Sequence, residues 1–214
     1  MEIIKVHYKI SKPVKNWKEI EKEALELLRY LHFGNFKGNW NKAFAISHCQ
    51  VSETPYAFFV VSQDVLAEKM FESYFIINPE IIEAPATKDV AGNKVPNEVE
   101  YEEACMSFPF RLARRIKRYD YIKVRYQIPT WHGLKTIKRE LKGIASEIFQ
   151  HEYDHLQGRN IYFESETPVK WWELIGKERS KGGTSLEPAE SLGLERAKEK
   201  TIDPTKLKDY GKKN

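Results

Sequence analysis

The pentapeptide His151-Glu152-Tyr153-Asp154-His155 constrains this chain more than any other stretch. Four residues of α-helix turn through about 400°, so residues 151 and 155 leave a helix on one face, about 40° apart. Two imidazoles placed that way can share one divalent ion, with Glu152 lying beside it. A carboxylate in that position can take a proton from water and hand it to a leaving group. Such a site needs a third protein ligand and a fourth position left open. Glu164 and Glu166 stand downstream and Cys105 upstream, and a lone cysteine also reads as a small buried hydrophobe. The helix carrying the motif is predicted to run from just after Gly133 to about Gln157, with Gly158 ending it.

A second helix reads from Trp17 to Leu31. Trp17, Ile20, Ala24, Leu27, Leu28 and Leu31 recur at steps of three and four and leave the charged residues on the other side. Asn16 with Glu19 forms a capping-box-like start. Between the helices the chain favours strands. Tyr56–Val61 and Tyr74–Ile77 are short apolar runs bounded by Pro55, Asn78 and Pro79. Residues 119–128 alternate, with Ile122, Val124, Tyr126 and Ile128 opposite Tyr121, Lys123, Arg125 and Gln127, as in a half-buried strand. Residues 84–98, which contain Pro85, Gly92, Asn93 and Pro96, read as an exposed loop.

Composition narrows the class. A 41% hydrophobic content rich in aromatics supports a packed core, and a formal net charge of +4 is too mild to imply nucleic-acid binding. Two cysteines exclude a disulfide scaffold. The first residues lack a signal peptide's basic and apolar regions, and no apolar run is long enough to span a bilayer, so a cytoplasmic protein with reduced thiols and no membrane partner is expected. Residues 176–214 change character: they hold ten basic and seven acidic residues but no Trp or Phe. They are expected to form a weakly packed basic tail, separate from a catalytic domain over residues 1–175.

Three segments together resemble peptide deformylase. They are Ala43-Phe44-Ala45-Ile46-Ser47-His48-Cys49-Gln50, then Glu103-Ala104-Cys105-Met106-Ser107-Phe108-Pro109, then Gln150-His-Glu-Tyr-Asp-His-Leu-Gln-Gly158. Ile77-Asn78-Pro79-Glu80-Ile81 is similar to a further family motif. The resemblance covers residues 1 to about 165 and implies an α+β fold, with antiparallel β-sheets wrapped around the helix that bears the histidine pair. It implies one divalent metal held by Cys105, His151 and His155. Iron(II) is the expected native ion, with zinc, nickel or cobalt able to substitute. It further implies N-formyl-methionyl nascent peptides as substrate, with Glu152 as acid–base group and with the Gln50 side-chain amide and the Met106 backbone N–H as oxyanion donors. Phe44, Ala45, Tyr101, Glu103, Ala104, Glu147 and Ile148 would then line the substrate groove. Asp154 and Arg118 are expected to pair and anchor the helix behind the metal. A monomer is expected, and the tail lysines could meet ribosomal phosphates.

The chain also departs from the family pattern. Ala43, Ala45 and Ala104 stand where the family has glycine, and the added methyls narrow the groove. Glu147 lies one turn before His151, where the family has an apolar pocket residue. Either it points to water, or it pairs with Arg111 or Arg114, or the pocket takes a more polar side chain. Two other readings fit these residues: an endopeptidase built on the same histidine motif, and a deformylase-like protein that binds peptides or ribosomes without turnover.

Overall fold

The run Phe58-Phe59-Val60-Val61 is apolar at every position because the sheet that contains it is covered on both faces. Phe59 and Val61 join one buried cluster with Ile76, Ile122, Val124, Tyr126 and Phe149. Phe58 and Val60 join a second with Ile20, Ala24, Leu27, Leu28, Ile46 and Ile77. Period-two alternation thus sorts one strand between two cores. The computed structural model that gives this arrangement describes residues 9–33, 43–88, 90–107 and 114–161.

The chain enters helix α1 (Trp17–Phe33), whose buried face carries the residues picked out by periodicity. Asn16 Oδ1 accepts from the Glu19 N–H, and the Glu19 carboxylate reaches back to the Lys15 N–H. Strand β1 (Ala45–Ser47) leads into a 3-10 turn (His48–Gln50), then β2 (Phe58–Val61), a short helix α2 (Gln63–Ala67) and β3 (Phe75–Glu83). A small hairpin follows, β4 (Thr87–Lys88) with β5 (Lys94–Val95), and a longer one, β6 (Glu98–Glu103) with β7 (Arg114–Tyr119). Strands β8 (Tyr121–Thr130) and β9 (Gly133–Lys142) then lead to helix α3 (Ile144–Leu156). The main sheet has the order β1-β2-β3-β8-β9, every neighbour antiparallel. The fold class is α+β, as expected.

Three sequence expectations need correction. Residues 133–142 are strand, and the motif helix starts only at Ile144. Leu134, Ile137 and Leu141 carry a helix-like spacing, but ten consecutive pairings with β8 decide the state, from Thr130 opposite Gly133 to Tyr121 opposite Lys142. Gly143, at φ 56°, makes the sharp junction between β9 and α3, a conformation that side chains with a Cβ resist. Second, the 84–98 loop contains the β4–β5 hairpin. Third, β3 does not stop at Asn78 but bulges there. Asn78 takes a positive φ of 48°, which asparagine tolerates, and its side chain bonds both the N–H and C=O of Val14 and Gln127 Oε1. The tail at 176–214 lies outside the described residues. No described helix is long and apolar enough to cross a membrane.

Phe149 helps fix helix α3 to the sheet: it is fully buried against Phe59 and Tyr126 of the sheet and stacks on Tyr153 of the same helix. Phe149→Ala is expected to cost about 3–5 kcal/mol by urea unfolding, the usual range for a large buried ring, because the cavity would open under the helix that carries the histidine pair.

Candidate metal centre

Helix α3 presents His151 and His155 from one face, as the four-residue spacing requires, and the segment after β6 brings Cys105 to them from 46 residues earlier in the chain. The three ligand atoms all lie within 4.8 Å of one another, and Cys105 Sγ is 3.1 Å from His155 Nε2. Bond lengths of about 2.1–2.3 Å place neighbouring ligands of a tetrahedral ion roughly 3.5 Å apart, so the trio has the right size. Its chemistry fits as well. Burial pushes the Cys105 thiol up, but the His155 and His151 rings outweigh that and hold it well below its ordinary value. Thiolate is the form that binds a metal.

The His151 ring is oriented from behind. Its Nδ1 donates to Glu103 Oε2 at 2.8 Å, which leaves Nε2 to face the thiol. Glu103 is in turn gripped by Arg118, whose Nε and Nη2 donate to the two carboxylate oxygens at 2.6 and 2.9 Å. Burial raises the Glu103 pKa, but Arg118 and His151 more than offset it, and the carboxyl ends at about 2. Arg118 also bonds Asp154 on α3, as the sequence suggested, and Arg159 closes the group on the far oxygen of Asp154 at 2.6 Å. One guanidinium between two buried carboxylates leaves surplus negative charge, which Arg159 and the His151 ring relieve. Gln150, from the same motif, holds α3 to β7 by bonding both main-chain groups of Tyr119.

Glu152 is buried beside the trio, and burial pushes its carboxyl up. Gln50 is buried too. Its Nε2 donates to Ser107 Oγ at 3.1 Å and lies 3.7 Å from Cys105 Sγ, so the amide faces the trio. Met106 follows Cys105 and is half-buried against the α1-side core. Cys49 is buried and unoxidised, as is Cys105.

The expected groove residues divide. Phe44 and Ala45 lie at the start of β1, where Phe44 packs on the α3-side core and its carbonyl accepts from the Ser62 N–H. Ala104 is exposed next to Cys105. Tyr101 is half-buried, and its hydroxyl donates to Asp120 at 2.9 Å. Ile148 packs into the α3-side core. The Glu103 carboxylate is committed to His151 and Arg118, so its side chain orients the His151 ring. Glu147 is half-buried, and burial with the nearby Glu103 charge raises its carboxyl to about 7. That removes the reading of a freely solvated rim residue; Arg111 lies outside the described residues. Two serines that sequence reading passed over also meet the site. Ser107 holds Gln50, and Ser47 holds Glu152 through a 2.5 Å contact between its Oγ and Glu152 Oε2. The signal for Ser47 was its place two residues after Ala45 in a strand, on the face turned toward α3.

The fold and site therefore define an α+β protein able to hold one divalent ion between a strand-end thiolate and a helical pair of imidazoles. The sequence profile of the family described as polypeptide deformylase matches residues 2–170, and the chain belongs to that family. Peptide deformylase of Thermotoga maritima is 41% identical over 83 residues, 39% of this chain and 42% of that protein. Peptide deformylase 1 of Rickettsia conorii is 37% identical over 97 residues, 44% of this chain and 46% of its own length. These matches span less than half the length of the curated relatives. Among solved structures, the Thermotoga maritima peptide deformylase superposes with a TM-score of 0.56 at 27% identity, covering 78% of this chain and all of that one. The enzyme of Synechococcus elongatus in complex with actinonin reaches 0.59 at 17% identity, over 86% and 87% of the two chains, a likeness of fold.

Two outcomes follow. Arg118→Ala leaves Glu103 and Asp154 buried without their cation, so it is expected to destabilise the protein by about 3–5 kcal/mol and to lower the metal content measured after purification. Glu147 carries the opposite sign. Its folded pKa of about 7 lies above the ordinary 4.5, so it costs stability as pH rises from about 4.5 to about 7. Glu147→Gln should therefore gain roughly 1–3 kcal/mol over the parent at pH 8 and almost nothing at pH 4.5, read by thermal melting at both values.

Proposed function

We propose that this chain removes the N-formyl group from the N-terminal methionine of nascent peptides in the cytoplasm and releases formate. The reading rests on one juxtaposition: a proton-carrying carboxylate, Glu152, and an amide donor, Gln50, both buried against the Cys105–His151–His155 trio. Membership of the polypeptide deformylase family supports it. Residues 1–175 would form the catalytic domain and act as a monomer. Residues 176–214 would be a basic appendage able to touch ribosomal phosphates.

A divalent ion held by the trio, iron(II) in this reading, would supply Lewis acidity at the attacking water. Glu152 takes the proton of that water as its oxygen adds to the formyl carbon. Gln50 Nε2 and the Met106 N–H donate to the oxygen on which negative charge develops, and they are most useful where water is excluded. Glu152 then returns the proton to the amine nitrogen as the C–N bond breaks, and formate departs. Arg118 and Glu103 take no proton in this scheme; they keep His151 in the tautomer that offers Nε2. The alanines at 43, 45 and 104 keep the main-chain groups of the groove available to an extended peptide.

The test is anaerobic purification with metal analysis, followed by formate release from formyl-Met-Ala-Ser. The intact chain is expected to turn over, and Glu152→Ala to lose at least about a thousandfold in kcat with its metal retained. A metal-loaded chain that releases no formate from any formyl peptide would contradict the proposal.

A further inference from the structure

Ser47 ends β1 with its side chain fully buried, and its two polar groups go to two different site residues. Its N–H donates to Gln50 Oε1 at 2.8 Å. Its hydroxyl lies 2.5 Å from Glu152 Oε2, with the Glu152 main-chain carbonyl 3.2 Å away. A hydroxyl has one proton to give, and a carboxylate oxygen at the shorter distance takes it in preference to a carbonyl. Among the described residues no hydrogen bond reaches Glu152 Oε1.

We propose that Ser47 is a positioning residue for the proton carrier: its hydroxyl pins Glu152 Oε2, so that Oε1 alone exchanges protons with the attacking water and the departing amine. The inference rests on the reading of Glu152 given above. Three physical points carry it. The terminal torsion of a glutamate is broad, so an unpinned carboxylate swings through many orientations. A displacement of about 1 Å at a reacting group can cost up to a hundredfold in rate. The bond also survives the cycle, because Oε2 accepts from Ser47 whether or not Oε1 carries a proton. The shuttle therefore needs no rearrangement of its support between accepting and returning the proton. The same residue aims the amide donor. With Gln50 Oε1 held by the Ser47 N–H, Nε2 is left pointing toward Cys105 Sγ. One strand end thus sets the direction of both the acid–base group and an oxyanion donor.

A serine that merely satisfied a buried carboxylate would affect stability alone, so the test reads kinetics and position together. In the full chain purified anaerobically, Ser47→Ala is expected to lower kcat for formyl-Met-Ala-Ser about tenfold, with KM within twofold and metal stoichiometry unchanged. In a Glu152→Asp background, whose shorter side chain no longer reaches the hydroxyl, Ser47→Ala should have no further effect. A crystal structure of Ser47→Ala should show the Glu152 carboxylate turned from its parent orientation. A kcat within twofold of the parent overturns the inference, as does a loss traced to missing metal or to a raised KM. Should the parent chain release no formate, the functional reading fails on its own. The crystallographic comparison then decides the positioning claim, and an unmoved Glu152 overturns it.

Discussion

Arg118 is the group on which the rest of the site depends. It sits buried on β7, donates to both oxygens of Glu103 at the end of β6 and bonds Asp154 on α3. A single guanidinium therefore ties a hairpin to the helix that carries the histidine pair. Its fork suits this task, since it presents parallel donors in a fixed plane. Through Glu103 the same charge fixes which nitrogen of His151 faces the thiol. One buried ion cluster thus joins the hairpin to α3 and orients the His151 ring. An apolar replacement of that cluster could pack well and still lose the tautomer that the metal site needs.

The main sheet supplies the rigid frame. Its two faces are buried by α1 and α3, and β1 runs along its edge with Ser47 and the turn to Gln50 at its end. The site lies where that strand end, the segment after β6 and the face of α3 that carries Glu152 and His155 meet. Groups from three distant parts of the sequence are held there by regular elements or their immediate ends, which favours precision over adaptability. Two polar residues face this region, Glu147, which departs from the family pattern, and Ser47. One destabilises the neutral-pH state by its buried charge, whereas the other is satisfied by Glu152.

Much of this was legible in the sequence, for identifiable reasons. The α1 stripe and the alternation of β8 are local patterns, and the observed burial follows them from Ile20 to Leu31 and from Tyr121 to Tyr126, while Trp17 and Ile128 are only half-buried. The histidine pair needed only the helical repeat. The Arg118–Asp154 pair was foreseen from the family resemblance, and so was Cys105 as a partner of the histidines. What escaped was set by pairing across distance. Leu134, Ile137 and Leu141 look helical in isolation, and only the neighbouring β8 makes them a strand. Asn78-Pro79 looks like a stop, yet the bulge lets β3 continue. Glu103 reaches Arg118 along a hairpin in which Arg118 stands opposite Val99, four residues away, and no local rule reports that contact. Ser47 was hidden for the same reason, since its partner Glu152 lies 105 residues on.

The central claim is that one sulfur and two ring nitrogens converge on a single ion. X-ray absorption at the metal edge of the anaerobically purified full chain tests this directly. The account predicts one sulfur at about 2.3 Å with two nitrogens at about 2.0–2.1 Å, and loss of the sulfur in Cys105→Ser. A bound metal whose shell holds only oxygen and nitrogen in the unaltered chain would contradict it.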